Sequence, residues 1–320
     1  MKFITRSLIV VSAFLTLFAS AHAAPPAPAP LPPAAQEALN KGIIAAKVPD
    51  YLLAIRFFEE ARKLAPQAPV LYLNLGLAES RIPGRELRAI AWFGAYLAAY
   101  PDAPNAAAVK EEIAVLVVKS QSNLSRLIKM VQDVASQIPE DDQMPTMGRD
   151  KGHILSEVSK LWAGIGDTAH AQKTAELIIG YAMWKDAAYL AIAEAQFKAG
   201  DIAGASQTAG RIQDKDKGIA IQKAITELAA KPQSVSQPVT GVSEWLYTLK
   251  GGCSSSTDFV CSNKGQLRTE PFLDLVGHLK SLPPPSKSIY EHFWALQETA
   301  EKIVKAQNVI IGMLKQQAGK

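Results

Sequence analysis

The sequence predicts an all-α protein, a solenoid of helical hairpins followed by a helical, disulfide-containing C-terminal domain. Three observations carry this expectation. From Ala35 onward apolar residues recur at intervals of three and four, the period of an amphipathic helix. The middle of the chain repeats itself after 34 residues, pairing Gly166-Asp167 with Gly200-Asp201, Ala171 with Ala205 and Ile178 with Ile212. Apolar residues make up 48% of 320, enough to bury a sizeable helical core.

The first stretch, residues 1–23, reads as a signal peptide. Lys2 and Arg6 precede an apolar run from Leu8 to Phe18, and Ala21-His22-Ala23 offers small residues for cleavage. The run is shorter than the roughly 20 residues a bilayer span requires, and no later stretch is apolar for long enough. The expected location is therefore periplasmic or secreted, without a transmembrane segment after cleavage. Losing Lys2 and Arg6 takes the formal charge from +4 to +2, too small for a nucleic-acid or anionic-membrane partner. Residues 24–34 form a proline- and alanine-rich linker, because proline removes backbone donors and favours extended chain.

Helices are expected over Ala35–Val48, Tyr51–Leu64, Val70–Ser80 and Arg85–Ala99, with Pro49-Asp50 and Pro66 between them. Two more are expected over Asn105–Ser120 and Asn123–Ile138, closing a first unit at residues 35–138. Residues 139–150 read as a solvated loop, acidic at Glu140, Asp141 and Asp142 without the ligand spacing of a calcium loop. Residues 151–230 form a second hairpin series. In each of its turns glycine ends one helix and aspartate caps the next. Ala224-Ile225-Thr226-Glu227 echoes Ala191-Ile192-Ala193-Glu194 and starts a further copy.

Residues 231–243 are a linker rich in Pro, Ser and Gln, and residues 244–320 form the C-terminal domain. Within it Cys253 and Cys261, with seven residues between them, read as a structural disulfide in an exported protein. Such a loop restrains the unfolded chain by about 2–3 kcal/mol. The spacing suits neither a redox pair nor a metal site. A helix is expected over Phe272–Leu282, stopped by Pro283-Pro284-Pro285, and a long one over Ser288–Gln316. Ile289, Phe293, Leu296, Ala300, Ile303, Ile310 and Leu314 form a coiled-coil-like stripe on that last helix, interrupted by Gln307. Packing against its own domain is the first reading of the stripe, and homo-oligomerisation through it the second.

The hairpins over residues 35–101 resemble tetratricopeptide repeats, units of 34 residues. The second shows Tyr72, Leu75-Gly76, Ala89, Phe93 and Pro101 in the family's order, with one residue inserted near Pro83-Gly84 and Tyr96 where the family has alanine. The first shows Gly42, Ala54, Phe58, Ala61 and Pro66, with Lys41 as a departure. Small residues let two helices approach, the aromatic fills the gap between them, and proline ends the second helix. The resemblance implies a concave groove lined by the first helix of each hairpin. Carried onto this chain, it names Ile43, Lys47, Leu73, Asn74, Leu77 and Arg81 as the partner-binding face, with Asn74 matching an asparagine that bonds a peptide backbone in the family. A groove apolar in the middle and basic at one end favours an apolar helix or extended segment. The chain's own terminal helix is the alternative occupant.

No pattern for catalysis emerges. Gly164-Ile165-Gly166 lies in a repeat turn without the strand a dinucleotide site needs. His153, His170, His278 and His292 show no metal-ligand spacing, and His170 reads as a surface residue. No catalytic residue, metal ligand or cofactor is assigned. The expected function is a non-enzymatic protein–protein interaction scaffold or adaptor in the bacterial cell envelope. The alternatives are an envelope enzyme with its site in the C-terminal domain, and a glycan- or lipid-binding protein using Trp245 or Trp294.

Overall fold

A computed structural model describes residues 29–139, 150–180, 182–230 and 288–318. The described residues are mainly helical, with no strand among them. The helices are α1 (Pro33–Lys47), α2 (Tyr51–Leu64), α3 (Pro69–Ser80), α4 (Glu86–Ala99), α5 (Ala106–Gln137), α6 (Lys151–Gly164), α7 (Thr168–Glu176), α8 (Ala182–Lys198), α9 (Ile202–Ala209), α10 (Lys215–Ala230) and α11 (Ile289–Ala318). Neighbours pack in pairs, α1 with α2, α3 with α4, α6 with α7 and α8 with α9, an arrangement compatible with a helical repeat. The signal-like residues, Cys253, Cys261, the linker at 231–243, Trp245 and the helix expected at Phe272–Leu282 lie outside the described residues.

Each early hairpin closes on one glycine and one phenylalanine. A Cβ at Gly42 would sit 2.3 Å from the Phe58 ring, and one at Gly76 would sit 2.6 Å from the Phe93 ring. Only glycine lets each ring come this close to the facing backbone, and both rings are buried. Tyr72 is buried beside them and its hydroxyl donates to the Pro66 carbonyl, tying α3 back to the preceding turn.

Between α3 and α4 stands a buried charge. Glu79 is fully buried, and it accepts from Arg88 Nε at 2.8 Å and from an Arg85 guanidinium nitrogen at 3.2 Å. Two cations on the following helix and its entry turn thus neutralise the carboxylate where water does not reach.

The later hairpins share their turn chemistry. Gly166 and Gly200 both have φ of 84°, a left-handed conformation that glycine adopts without strain. The following aspartates cap the next helices: Asp167 accepts from the His170 amide at 3.0 Å and Asp201 from the Gly204 amide at 2.8 Å. Asp50 and Asp150 do the same for α2 and α6, accepting from the Leu53 and Gly152 amides.

The structure corrects the sequence reading at α5. The two helices expected at 105–120 and 123–138 are one helix of 32 residues. The polar run Ser120-Gln121-Ser122-Asn123 suggests a break, but it contains neither glycine nor proline and nothing in it ends a helix. Its apolar face continues through the run with Leu116, Leu124, Leu127, Ile128 and Val131, all buried. At its C-terminus Lys151 Nζ donates to the carbonyls of Ala135, Ser136 and Ile138, placing a cation where the helix dipole is negative.

α11 packs against α4, α5 and α6. Phe293, Leu296, Ala300, Ile303 and Ile310 of the predicted stripe are buried in the main core, which also holds residues of α4, α5, α6 and α8. Gln307 is buried too, and its side-chain oxygen accepts from Ser120 Oγ at 2.9 Å. The polar interruption of the stripe therefore has its partner on α5. Gln297 Nε2 donates to Glu157 Oε2 at 3.2 Å and Asn308 Nδ2 to the Gly164 carbonyl at 3.0 Å, fixing the same helix to α6.

Candidate functional site

The face assigned by resemblance runs along α1 and α3. Proline at the first position of α3 sets the start of that helix. From there Val70, Leu73, Asn74, Leu77 and Arg81 follow at helical spacing along one side. The opposite side carries Leu71, Tyr72, Leu75 and Ala78 into the core. α1 is divided the same way, with Ala35, Ala38, Leu39, Gly42 and Ala45 buried.

The predicted residues do not all face solvent equally. Ile43 is half-buried against the core of the first hairpin, and Leu73 is half-buried against the main core. Leu77 is 44% exposed, and Lys47 and Arg81 are exposed. Asn74 Nδ2 donates to the Val70 carbonyl one turn back at 2.7 Å, which orients the amide and leaves its oxygen unbonded among the described residues. Val70, on the same side of α3, is exposed, and exposed Ile44 and Val48 add apolar surface the sequence reading did not assign. α11, the occupant considered from the sequence, packs on α4, α5 and α6 and leaves Leu77, Ile44 and Val48 uncovered.

A second cluster is formed by residues far apart in sequence. His153 on α6 stacks on Trp184 of α8, with ring centroids 4.2 Å apart, and meets Trp294 of α11 at 5.2 Å. Asp150 orients the first indole: its Oδ2 accepts from Trp184 Nε1 at 2.7 Å while its Oδ1 caps α6. Glu157 lies one turn along, with Oε1 3.7 Å from His153 Nε2 and 2.6 Å from Lys160 Nζ. Burial pushes the His153 pKa down from its ordinary 6.5, and the Glu157 carboxylate opposes this less strongly. His153 Nδ1 and Ser156 Oγ are buried without a hydrogen-bond partner among the described residues, and neither bonds the other.

Nothing in the spacing of these residues foretells the cluster, since each sits on a different helix. His153 and Trp184 carry no motif, and Trp294 is named from the sequence only as a pocket aromatic. Trp294 is here half-buried, edge-on to Phe293 at 5.0 Å. His170 is exposed, as the sequence predicts, paired with Asp167 at 2.7 Å and stacked on Trp162 at 4.8 Å. Among the described residues no three His, Cys, Asp or Glu side chains are grouped to hold a metal ion. None of the described helices is long and apolar enough to cross a membrane. A scan against protein-family models and searches of curated proteins and of solved structures find no match to this chain.

Proposed function

We propose that this protein is a non-enzymatic interaction scaffold of the bacterial cell envelope, whose α1/α3 face binds an apolar helix or extended segment of a protein partner. The observation that carries the reading is the exposed apolar strip of Val70 and Leu77 on α3, with half-buried Leu73 between them and exposed Arg81 at its end, to which α1 adds half-buried Ile43 and exposed Lys47. A partner that buries the strip gains roughly 25 cal/mol for each Å² of apolar surface removed from water. An acidic or carbonyl-rich end of the bound segment would meet the two cations. The tetratricopeptide-like order of Tyr72, Leu75-Gly76, Ala89 and Phe93 supports the assignment, because that family binds segments on the corresponding face. The signal-like residues 1–23 support the envelope as the place where it acts.

The experiment is site-specific photocrosslinking in intact cells. A photoreactive side chain at Leu77 is compared with one at Lys119, an exposed position on α5. The expected result is a discrete adduct at Leu77 alone, lost when Val70→Glu is added, with the helical circular-dichroism signal unchanged. Equal adducts at both positions, or an adduct indifferent to Val70→Glu, would refute the assignment of this face.

A further inference from the structure

The turn from α7 into α8 is apolar where the fold does not require it. Leu177 is 58% exposed, Ile179 83% and Met183 62%. The next hairpin supplies the comparison within the same molecule. Ile178 and Ile212 are the buried anchors of the two turns, at 3% and 1% exposure. Aligning them puts Arg211 opposite Leu177 and Gln213 opposite Ile179. Aligning the first residues of α8 and α10, Ala182 and Lys215, puts Asp216 opposite Met183. All three counterparts are polar and exposed. The same turn is thus built with Arg, Gln and Asp in one copy and with Leu, Ile and Met in the other. The turn needs only its buried isoleucine, so the apolar triad requires a different explanation.

The start of α11 is linked to this turn through a chain of aromatic rings. Met183 directly precedes Trp184, whose ring stacks on His153, and His153 in turn meets Trp294 near the beginning of α11. Tyr290 and Ile289 of α11 are half-buried against the same core. The chain reaches α11 from residues 231–287. The sequence of that stretch contains FLDLVGHLKSL at residues 272–282. At helical spacing Phe272, Leu275, Val276, Leu279 and Leu282 share one side, with Asp274, His278, Lys280 and Ser281 elsewhere. Seven steps separate Leu282 from Ile289, a tether of at most about 25 Å at the fully extended reach of a chain. An amphipathic segment is therefore held within a short radius of an uncovered apolar triad. Such a tether corresponds to an effective concentration on the order of millimolar.

We infer that the triad Leu177, Ile179 and Met183 is the docking surface for residues 272–282 of the same chain, seated through Phe272, Leu275, Val276 and Leu279. Three side chains fall far short of the roughly 800 Å² per partner that a stable intermolecular interface buries. A tethered segment does not need that area, because the chain already holds it close. The docking accounts for both apolar surfaces at once and leaves the α1/α3 face free for a separate partner.

Hydrogen exchange read by mass spectrometry on the full chain lacking residues 1–23 tests this. In the wild type, amides of 272–282 are expected to exchange at least about tenfold more slowly than an unstructured peptide. Ile179→Glu with Met183→Glu is expected to remove that protection while α6 and α8 keep theirs, since both side chains are exposed and carry no core packing. The reciprocal pair Leu275→Glu and Leu279→Glu is expected to speed exchange at 177–183. Unprotected amides at 272–282 in the wild type would overturn the inference, as would protection indifferent to the Ile179 and Met183 changes. Protection that rises with protein concentration would assign the triad to a second copy instead. Protection that appears only on addition of phosphatidylglycerol-containing vesicles would assign it to a lipid surface.

Discussion

Replacing Glu79 by alanine tests the electrostatics of the second hairpin. The carboxylate is fully buried and holds Arg88 at 2.8 Å and Arg85 at 3.2 Å. Glu79→Ala leaves two guanidinium groups whose side chains are only 17% and 19% exposed, facing the space the carboxylate filled. Removing one member of a buried ion pair costs about 3–5 kcal/mol, chiefly because the remaining charge is left uncompensated. Both arginines keep a route to water, so the lower end, about 3 kcal/mol, is expected. For a domain of roughly 150–250 residues this lowers Tm by about 6–12 °C. Glu79→Gln keeps the shape and one acceptor and is expected to lose about half as much. The assay is urea unfolding followed by circular dichroism at neutral pH, with Glu79→Leu combined with Arg88→Met as the control. If the reasoning holds, the apolar pair recovers much of the loss. A Glu79→Ala loss below about 1 kcal/mol, or a double variant no better than the single one, would refute it, since an effect of that size belongs to exposed pairs.

Gly76→Ala would raise helix propensity by about 1 kcal/mol, yet its Cβ lies 2.6 Å from the Phe93 ring. Overpacking of about 1–3 kcal/mol is expected to outweigh the gain, and Phe93→Leu in the same chain should relieve part of it in a thermal melt. Gln307→Leu strips Ser120 of its buried partner and should cost about 1–2 kcal/mol, while adding Ser120→Ala should restore most of that in the same melt. The His153 pKa is lowered by burial from 6.5, so the unfolded chain binds the proton more readily than the folded one. Stability should therefore be full above about pH 6.5 and fall as pH drops from there through the depressed folded value. His153→Phe should flatten this part of the stability–pH curve, measured by denaturant unfolding between pH 7 and pH 5.

The elements readable from sequence are those written in local spacing. Gly42 with Phe58 and Gly76 with Phe93 lie 16 and 17 residues apart, within one hairpin, and the Gly-Asp turns recur with the repeat. The extent of α5 was not readable, because Ser120-Gln121-Ser122-Asn123 resembles a boundary in composition. Ser120 is polar for another reason: it bonds a glutamine 187 residues away. Glu79 looked like any helical carboxylate until Arg85 and Arg88 closed over it. The candidate face was legible as a spacing along α3, but its division into half-buried Leu73 and exposed Leu77 depends on what packs beside it. The His153 cluster needs three helices to meet, and no local pattern records that meeting.

The packing of α11 also bears on how the chain is made. Synthesis proceeds from the N-terminus, so α4, α5 and α6 all exist before the helix that covers their common seam. Until residues near Phe293 and Ile310 arrive, the apolar side of α5 is without its cover and Ser120 without its glutamine. Closing contacts over a sequence separation of 187 residues is slow compared with forming a hairpin. The nascent protein therefore passes through a stage in which its early hairpins are built while its largest core stands open, and this is the stage at which a chaperone or a protease would meet it.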